Sequence, residues 1–444
     1  MNVFTGVSIM DDTIFSLSSW PRAILHIDGD AFFTSCEEAI HPELKGKPII
    51  TGAERGIVAC ASYAAKKMGI KRGVSLRDAR AICPGLILLP SDYETYSLFS
   101  RRIFTIMRRF TPEVEEYSID EAFADITGLR RPLRSSYEAI ARKIKIEIQR
   151  DTGLTVSVGL SLTKVLAKVG SKHRKPDGLT VIPGRAIASY LQDLPLEKIW
   201  GIGPATTAQL NKLGIRTALE FARMPEGAVR RQLTKPGVEI WQELRGRSVC
   251  PVMAEEKSIY ASISKTKTFA PATTDADYLF AQLLRNLESA CLKARRYKLA
   301  PRRLAFFLKT NDFLYHGCEV RLNRPSAYTM ELSDPTRKAF LSLFRKGVYY
   351  RATGVALMEM GADLPVQYSL FDDSVRVDKV RSLYEAMDEI GRRFGKHTLH
   401  LGGSHLIEVT GKGKRGAATV REATQFFGET KRQHLGLPIL HAKV

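Results

Sequence analysis

An α+β protein of several domains is what this sequence predicts, and three observations lead there. Strand-like apolar runs alternate with helix-like amphipathic runs, without internal repeats or low-complexity tracts. The 444 residues, 44% of them hydrophobic, exceed one ordinary core, so two to four domains are expected. Three carboxylates, Asp28 in ILHIDGDAFF and the adjacent pair Asp120–Glu121 in EEYSIDEAFADI, sit at the ends of strand-like runs, where they face outward from a sheet edge. So placed, they repel one another unless a cation lies between them.

In chain order, residues 21–27 predict a strand and 31–41 a helix capped by Asp30. Short strands over 47–51 and 56–60 precede a helix over 63–68. Residues 93–110 are helical, and 114–117 pairs with 122–126 as a hairpin with Asp120–Glu121 at its turn. A helix over 136–150, a strand over 155–160 and a helix over 164–172 complete this alternation. The pattern changes near residue 187, where WGIGPATTAQLNKLGI opens a run of short helices lasting to about residue 250. A strand over 258–269, a helix over 275–297, two strands, a helix over 334–346 and a last strand then form a separate α+β module. Val380, Leu383, Tyr384, Met387, Ile390 and Phe394 mark one face of a further amphipathic helix. The tail beyond it is basic and glycine-containing.

Composition narrows the partners. Net charge is +20, from 67 Lys and Arg against 47 Asp and Glu, which points to a polyanion, either nucleic acid or an acidic membrane surface. The six cysteines (36, 60, 83, 250, 291, 318) contain no C-x-x-C pair, so reduced cytosolic thiols without a zinc site are expected. No run of about 18 apolar residues exists, and no membrane span is expected. The first 20 residues lack a basic n-region, so a signal peptide is not expected and the predicted location is the cytoplasm; Met10 is an alternative start.

Hard oxygen ligands such as these carboxylates suit Mg²⁺, which takes one or two from protein and the rest from water and phosphates. Two such ions about 4 Å apart activate an attacking hydroxyl and stabilise a leaving oxygen in phosphoryl transfer. The plainer reading makes Asp28 or Asp30 a helix cap and Asp120–Glu121 a solvated turn. Composition and acids alone support a basic, metal-dependent enzyme of nucleic acids or nucleotides.

The wording around the acids adds to this. DGDAFFTSCEEAIHPELKGKPI, GIVACASYAAKKMGIKRGVSLRDAR, YSIDEAFADIT and TVSVGLSLTKVLAKVGSKHRKPDGL occur in that order. Together they resemble the Y-family (translesion) DNA polymerases, the group containing bacterial polymerase IV and UmuC. The similarity runs from about residue 22 to about 360, with its specific motifs mostly before 215. It implies a right-hand polymerase. After an N-terminal extension (1–21) come a palm (22–186) with a small fingers insert (about 31–92) and a thumb with a helix–hairpin–helix (187–250). A little finger (251–360), a linker (361–375) and a C-terminal extension (376–444) follow.

The resemblance also assigns roles. Asp28, Asp120 and Glu121, with the backbone carbonyl of Gly29, would bind two Mg²⁺ ions, and Glu121 would lie nearest the primer 3′-hydroxyl. Phe33 would be the steric gate against ribonucleotides; by itself the Phe32–Phe33 pair at a strand-to-helix turn reads as core. Phe32, Tyr63, Lys66 and Lys164 would contact the incoming nucleotide. Lys66 replaces the family's usual Arg, a point charge instead of a bidentate fork, and Cys60 stands where many relatives have Thr. The small residues Ala31, Ala59, Ala61 and Ser62 either pack closely or leave room above the templating base. Asp30 and Asp125 read as structural.

Gly201 and Gly203 in WGIGP would let backbone amides and a helix N-terminus meet one DNA phosphate. Lys293, Arg295, Arg296, Lys298, Arg302 and Arg303 would meet DNA phosphates from the little finger. Gln367, Leu370 and Phe371 in QYSLF resemble the peptide by which bacterial polymerases dock on the sliding clamp. Residues 383–401 look like the C-terminal extension of UmuC-type members, which implies a UmuD-like regulatory subunit as a further partner. Primed template DNA and deoxynucleoside triphosphates would be the substrates. The expected activity is low-fidelity translesion synthesis without proofreading, in DNA damage tolerance. Two other classes stay open. One is a catalytically silent adaptor that binds DNA and clamp, against which the three intact carboxylates stand. The other is a two-metal enzyme on a palm-like fold such as a nucleotide cyclase, for which the basic module and clamp-like peptide have no use.

Overall fold

The computed structural model describes residues 19–255, 260–363, 374–395 and 397–411. The chain divides into two compact units at Glu256/Lys257. In the first unit a five-stranded sheet has the order β5-β6-β1-β7-β8. Its early elements are β1 (Ile24–Gly29), α1 (Phe32–Ile40), β2 (Ile49–Thr51), β3 (Cys60–Ala61), α2 (Tyr63–Lys67), α3 (Leu76–Ile82), β4 (Ile87–Leu89), α4 (Tyr93–Arg108), β5 (Val114–Glu116) and β6 (Glu121–Asp125). Then come α5 (Tyr137–Thr152), β7 (Val156–Ser161), α6 (Lys164–His173) and β8 (Leu179–Ile182).

β1 lies at the centre, antiparallel to both β6 and β7. Its six residues are all buried because both faces are covered. Leu25 and Ile27 join the core that α4 and α5 fill with Ile103, Ile144 and Ile148. Ile24 points the other way, into a cluster with Phe123 and Ala167 of α6. Double coverage explains why adjacent Ile24 and Leu25 are both apolar, and why even His26 is buried.

Gly159 on β7 sets how near α6 can come. A Cβ there would meet the Ala167 carbonyl oxygen at 1.9 Å and the Ser171 nitrogen at 2.3 Å.

Residues 49–89 build a small separate sheet, β3-β2-β4, with its own core of Ile50, Val58, Ala65, Ile70, Ala79 and Leu86. The strand expected over 56–60 shrinks to Cys60–Ala61 plus a bridge between Ile57 and Ser75. Gly52 and Gly56, both at positive φ, bend the chain before it. α3 and β4 were not anticipated; they are short, and only the Ser75 cap accepting from Asp78 N marks the start of α3.

Past β8 the unit turns helical: α7 (Ile187–Leu191), α8 (Pro204–Lys212), α9 (Ala218–Arg223), α10 (Glu226–Gln232) and α11 (Lys235–Leu244). They enclose Leu196, Ile202, Leu210, Phe221 and Trp241.

The second unit is an antiparallel sheet of order β11-β10-β12-β9. Its elements are β9 (Ser262–Thr273), α12 (Ala276–Arg296), β10 (Leu299–Thr310), β11 (Tyr315–Arg321), α13 (Thr329–Leu343), β12 (Tyr350–Ala362), α14 (Ser374–Phe394) and α15 (His405–Gly411). α13 begins at Thr329 rather than 334 and runs through Pro335, where sequence rules would place a start. The apolar face expected for α14 is narrower than its pattern. Val380, Tyr384 and Met387 pack with Tyr328, while Leu383 and Phe394 stay exposed. Among the described residues no helix is long and apolar enough to cross a membrane.

Because backbone atoms rather than a flexible side chain oppose a Cβ at 159, Gly159→Ala is expected to destabilise the first unit by about 3 kcal/mol. Thermal unfolding of the full chain checks this, and an unchanged midpoint would show that α6 yields freely.

Candidate active site

Strand pairing gathers the three carboxylates. Asp28, next to last in β1, lies opposite Glu121 at the start of β6 and opposite Ser157 of β7. The Gly29 amide donates to the Asp120 carbonyl at 2.8 Å, which brings the hairpin turn alongside. Asp28 is buried, whereas Asp120 and Glu121 are half-buried.

Each acid has a local partner. Lys175 contacts Asp28, Lys168 of α6 reaches Glu121 Oε2 at 2.6 Å, and Ser118 Oγ donates to Asp120 Oδ1 at 2.6 Å. Burial pushes the Asp28 carboxyl up from 3.8 to about 6; the Lys175 ammonium opposes that rise, and Glu121 and Asp120 add to it. The same charges act on His26, two residues back and bonded to Ser171 Oγ at 2.7 Å. Burial first, then the ammonium groups of Lys168, Lys172, Lys175 and Lys164, push its pKa well below the ordinary range.

An all-oxygen donor set of this kind fits a hard divalent cation such as Mg²⁺. Among the described residues, however, no three side chains of the ligating types converge closely enough to hold an ion by themselves. Lys168 and Lys175 supply the compensating charge here.

Asp30 does not cap α1. Ala31 takes the N-cap position, in the left-handed region at φ 47° and without a side-chain cap. The Asp30 carboxylate instead accepts from Ser157 Oγ (2.7 Å), the Asp177 amide (2.8 Å) and Tyr63 Oη (3.4 Å), a structural use. Asp125 is structural as well, receiving Arg22 at 2.9 Å and the Thr127 amide at 2.8 Å.

Phe32 and Phe33 separate in role. Phe32 is core, its ring filling the space beside Gly29, where a Cβ would meet it at 3.0 Å. Phe33 is half-buried and stacks on Tyr96 with centroids 4.6 Å apart at 14°, with Tyr93 at its edge at 5.4 Å. Tyr96 is fixed in turn by donating to Glu37 Oε1 at 2.7 Å.

Tyr63 stands over Asp30, and the Lys66 ammonium lies 4.4 Å from its ring centre. Ser62 is the N-cap of α2 and also bonds the Ile49 amide, so its hydroxyl is committed. Cys60 Sγ lies 3.9 Å from Thr34 Oγ1.

Lys164 is placed differently from expectation. It is buried, with Nζ 2.6 and 2.8 Å from the two Glu115 oxygens and 4.7 Å from the Phe123 ring centre. Lys175, not singled out in the sequence, is the lysine on Asp28. Its signal was the turn-forming KPDG that follows α6, which the Asp177–Asp30 bond ties to the site.

The sequence profile described as the impB/mucB/samB family matches residues 27–172, its C-terminal domain matches 260–370, and the IMS family HHH motif matches 185–215. A DNA polymerase IV of Moorella thermoacetica is 34% identical over 399 residues, 88% of this chain and 97% of its own length. One of Desulfatibacillum aliphaticivorans is 31% identical over 85% of this chain and 95% of its own. Among solved structures, the Y-family DNA polymerase chimera Dbh-Dpo4(243-245)-Dbh matches with a TM-score of 0.64 at 27% identity, covering 76% of this chain and 99% of that one. An insertion ternary complex of Dbh DNA polymerase matches at 0.53 and 26% identity, over 76% and 98%. The chain belongs to the Y family of DNA polymerases.

In this Y-family polymerase, Gly201 turns at φ 89°, and a Cβ there would meet Ile240 Cδ1 at 2.5 Å. Gly203 is exposed with open space around it, and α8 starts at Pro204 directly after it. In the second unit Lys293, Arg296, Lys298 and Arg302 are exposed. Arg295 is not free for DNA: it holds Asp388 at 2.7 and 2.8 Å and the Ala327 carbonyl at 2.7 Å. Arg303 is shared between Glu319 at 3.0 Å and Glu359 at 3.3 Å. Gln367, Leu370 and Phe371 lie outside the described residues.

The raised Asp28 pKa has a definite sign. Between pH about 4 and about 6 the native state keeps a proton that the unfolded chain has released, so this group's contribution to stability falls as pH rises. In metal-free buffer Asp28→Asn should therefore exceed the wild type in stability above pH 6, by at most about 3 kcal/mol. Urea unfolding across pH with a chelator present checks this; an advantage that persists undiminished at pH 4 would contradict it.

Proposed function

We propose that this DNA polymerase carries out translesion synthesis by extending a primer on a damaged template, with the carboxylates Asp28, Asp120 and Glu121 as its catalytic centre. The primer 3′-hydroxyl attacks the α-phosphate of a deoxynucleotide and pyrophosphate leaves. The observation that carries this is the pairing of Asp28 with Glu121 across β1 and β6, with Asp120 next to it in the turn bonded to Gly29, in a chain of this family.

Two Mg²⁺ ions held by those carboxylates and the Gly29 carbonyl would lower the pKa of the attacking hydroxyl and neutralise charge on the departing phosphate. The remaining roles fall to this chain's own groups. Glu121 stands nearest the attacking hydroxyl. Lys175, at Asp28, and Tyr63 with Lys66 receive the triphosphate. Lys164, committed to Glu115, supports β5 instead. Phe33, backed by Tyr96, closes the space under the sugar so that a 2′-hydroxyl collides with the ring. The small side chains Ala31, Ala59 and Ala61 would leave few groups beside the base pair, which fits low fidelity.

The thumb turn at Gly201 and Gly203 grips backbone without reading sequence, and Lys293, Arg296 and Arg302 extend the phosphate contacts from the little finger. We assign Gln367, Leu370 and Phe371 to the sliding clamp and the C-terminal extension to a UmuD-like subunit. The silent adaptor is disfavoured because nothing in a pure DNA-binding role calls for Asp28 to be buried beside Glu121 and Asp120 at a cost in stability.

Primer extension with Mg²⁺ and single nucleotides is the test. Asp120→Ala with Glu121→Ala should lower incorporation by at least about 1,000-fold; equal activity of the two proteins would remove the site. Inert wild type, with clamp and a range of lesions, would bring the adaptor forward.

Sugar discrimination checks the gate separately. Phe33→Ala should raise ribonucleotide incorporation relative to deoxynucleotide by on the order of 10- to 100-fold. An unchanged ratio would return Phe33 to the core.

A further inference from the structure

Trp200, the residue before the Gly201 turn, has no part in the scheme above, yet it reaches back to the palm. Its indole N–H donates to the Tyr117 hydroxyl at 2.9 Å, and the two rings meet edge to face at 5.3 Å. Trp200 also lies against Phe123 of β6 at 5.6 Å. Under these rings is the Lys168 ammonium, 4.4 Å from the Tyr117 ring centre and 5.2 Å from that of Trp200. Lys168 is buried, and its charge is directed to Glu121 at 2.6 Å.

The indole–phenol bond stands out because burial does not demand it. Tyr117 is 42% exposed, and water would satisfy both polar atoms at little loss. What the bond does is fix two aromatic faces over the buried Lys168 ammonium. Aromatic faces favour a cation most where it is desolvated, as Lys168 is.

We infer that Trp200 and Tyr117 are positioning residues that couple the thumb's backbone-gripping turn to Glu121 through Lys168. This rests on the polymerase reading and adds a direction to it. DNA held at Gly201–Gly203 fixes Trp200, the aromatic pair fixes Lys168, and Lys168 orients the carboxylate beside the primer end. The site would then be fully arranged only when the thumb has DNA in its grip. Neither aromatic residue touches reacting atoms.

The test uses the full chain with Trp200→Phe, which keeps a ring but loses the donor, and Tyr117→Phe, which loses the acceptor. Both should keep the thermal midpoint and, without divalent metal, bind primed DNA within about twofold of wild type, measured by fluorescence anisotropy. At saturating DNA and nucleotide their incorporation rate should fall about 10- to 100-fold, the scale expected from a misplaced catalytic group, with nucleotide KM little changed. Hydrogen exchange supplies a readout that needs no catalysis. In wild type, primed DNA without metal should add protection to the amides of 117–123, and Trp200→Ala should abolish that gain while still binding DNA.

Wild-type rates in both Phe variants would overturn the coupling. So would a rate loss fully explained by weaker DNA binding or a lower midpoint, or a protection gain that survives Trp200→Ala. An inert wild type would sink the polymerase reading alone, since the exchange result still decides the coupling.

Discussion

Placing a buried carboxylate, Asp28, beside the half-buried Asp120 and Glu121 is the constraint around which the first unit is organised. Asp28 and Glu121 face each other across paired strands, so their repulsion is felt where little water screens it. Lys175 and Lys168 offset it from α6 and the turn that follows. Lys168 arrives at the right depth only because Gly159 lets α6 lie directly on β7. Asp30 ties the surrounding loops together by accepting from Ser157, Tyr63 and Asp177. Phe32 fills the space beside Gly29 and so turns its neighbour Phe33 toward the open side. The arrangement sacrifices stability at Asp28 for charge where a cation can use it, as functional sites commonly do.

Positive charge in this chain is placed in two ways, exposed and paired. Part of the +20 excess is visible as exposed Lys293, Arg296, Lys298 and Arg302 in the second unit. Other cations are committed to carboxylates of the protein itself. Arg295 forms a fork with Asp388, Lys164 sits on both oxygens of Glu115, and Arg303 is shared by two glutamates. Truncating Arg295 or Lys164 would leave the partly buried Asp388 or Glu115 without its partner, so such a variant would report on folding before it reported on DNA.

Much of the first unit was legible because its elements carry strong local signals. β1 opens on Ile24 and Leu25, β7 alternates apolar with small residues as VSVGLS, α4 and α5 have clear periodicity, and Asp92 and Ser136 accept at their N-termini. The hairpin bearing Asp120–Glu121 follows from two strand-like runs and a polar turn. Short elements were not legible. α3 and β4 span 7 and 3 residues and depend on the small core around Ile50 more than on propensity. Lys175 was missed for a related reason: only the fold brings the KPDG turn to Asp28. Family likeness pointed to Lys164, but Glu115 on the neighbouring β5 takes it, a pairing that no local pattern announces. Asp30 looked like a cap by type and position, yet the left-handed Ala31 turns the backbone first and leaves its carboxylate to the loops.

The C-terminal segment changes how the clamp-like peptide is presented. α14 is fastened to the second unit by the Arg295–Asp388 pair and by Tyr384, whose hydroxyl accepts from the Met330 amide at 2.8 Å. Further on, Glu288 is buried and raised in pKa by that burial; it accepts from the Leu401 amide at 2.7 Å and from Ser404 Oγ. Ahead of the peptide, the Asp363 amide donates to the Lys298 carbonyl at 2.8 Å and its carboxylate meets Arg381 of α14 at 3.3 Å. Residues 367–371 are therefore bounded by anchored chain on both sides instead of ending a free tail. A partner that takes Leu370 and Phe371 must accept a segment whose two ends are fixed to one body.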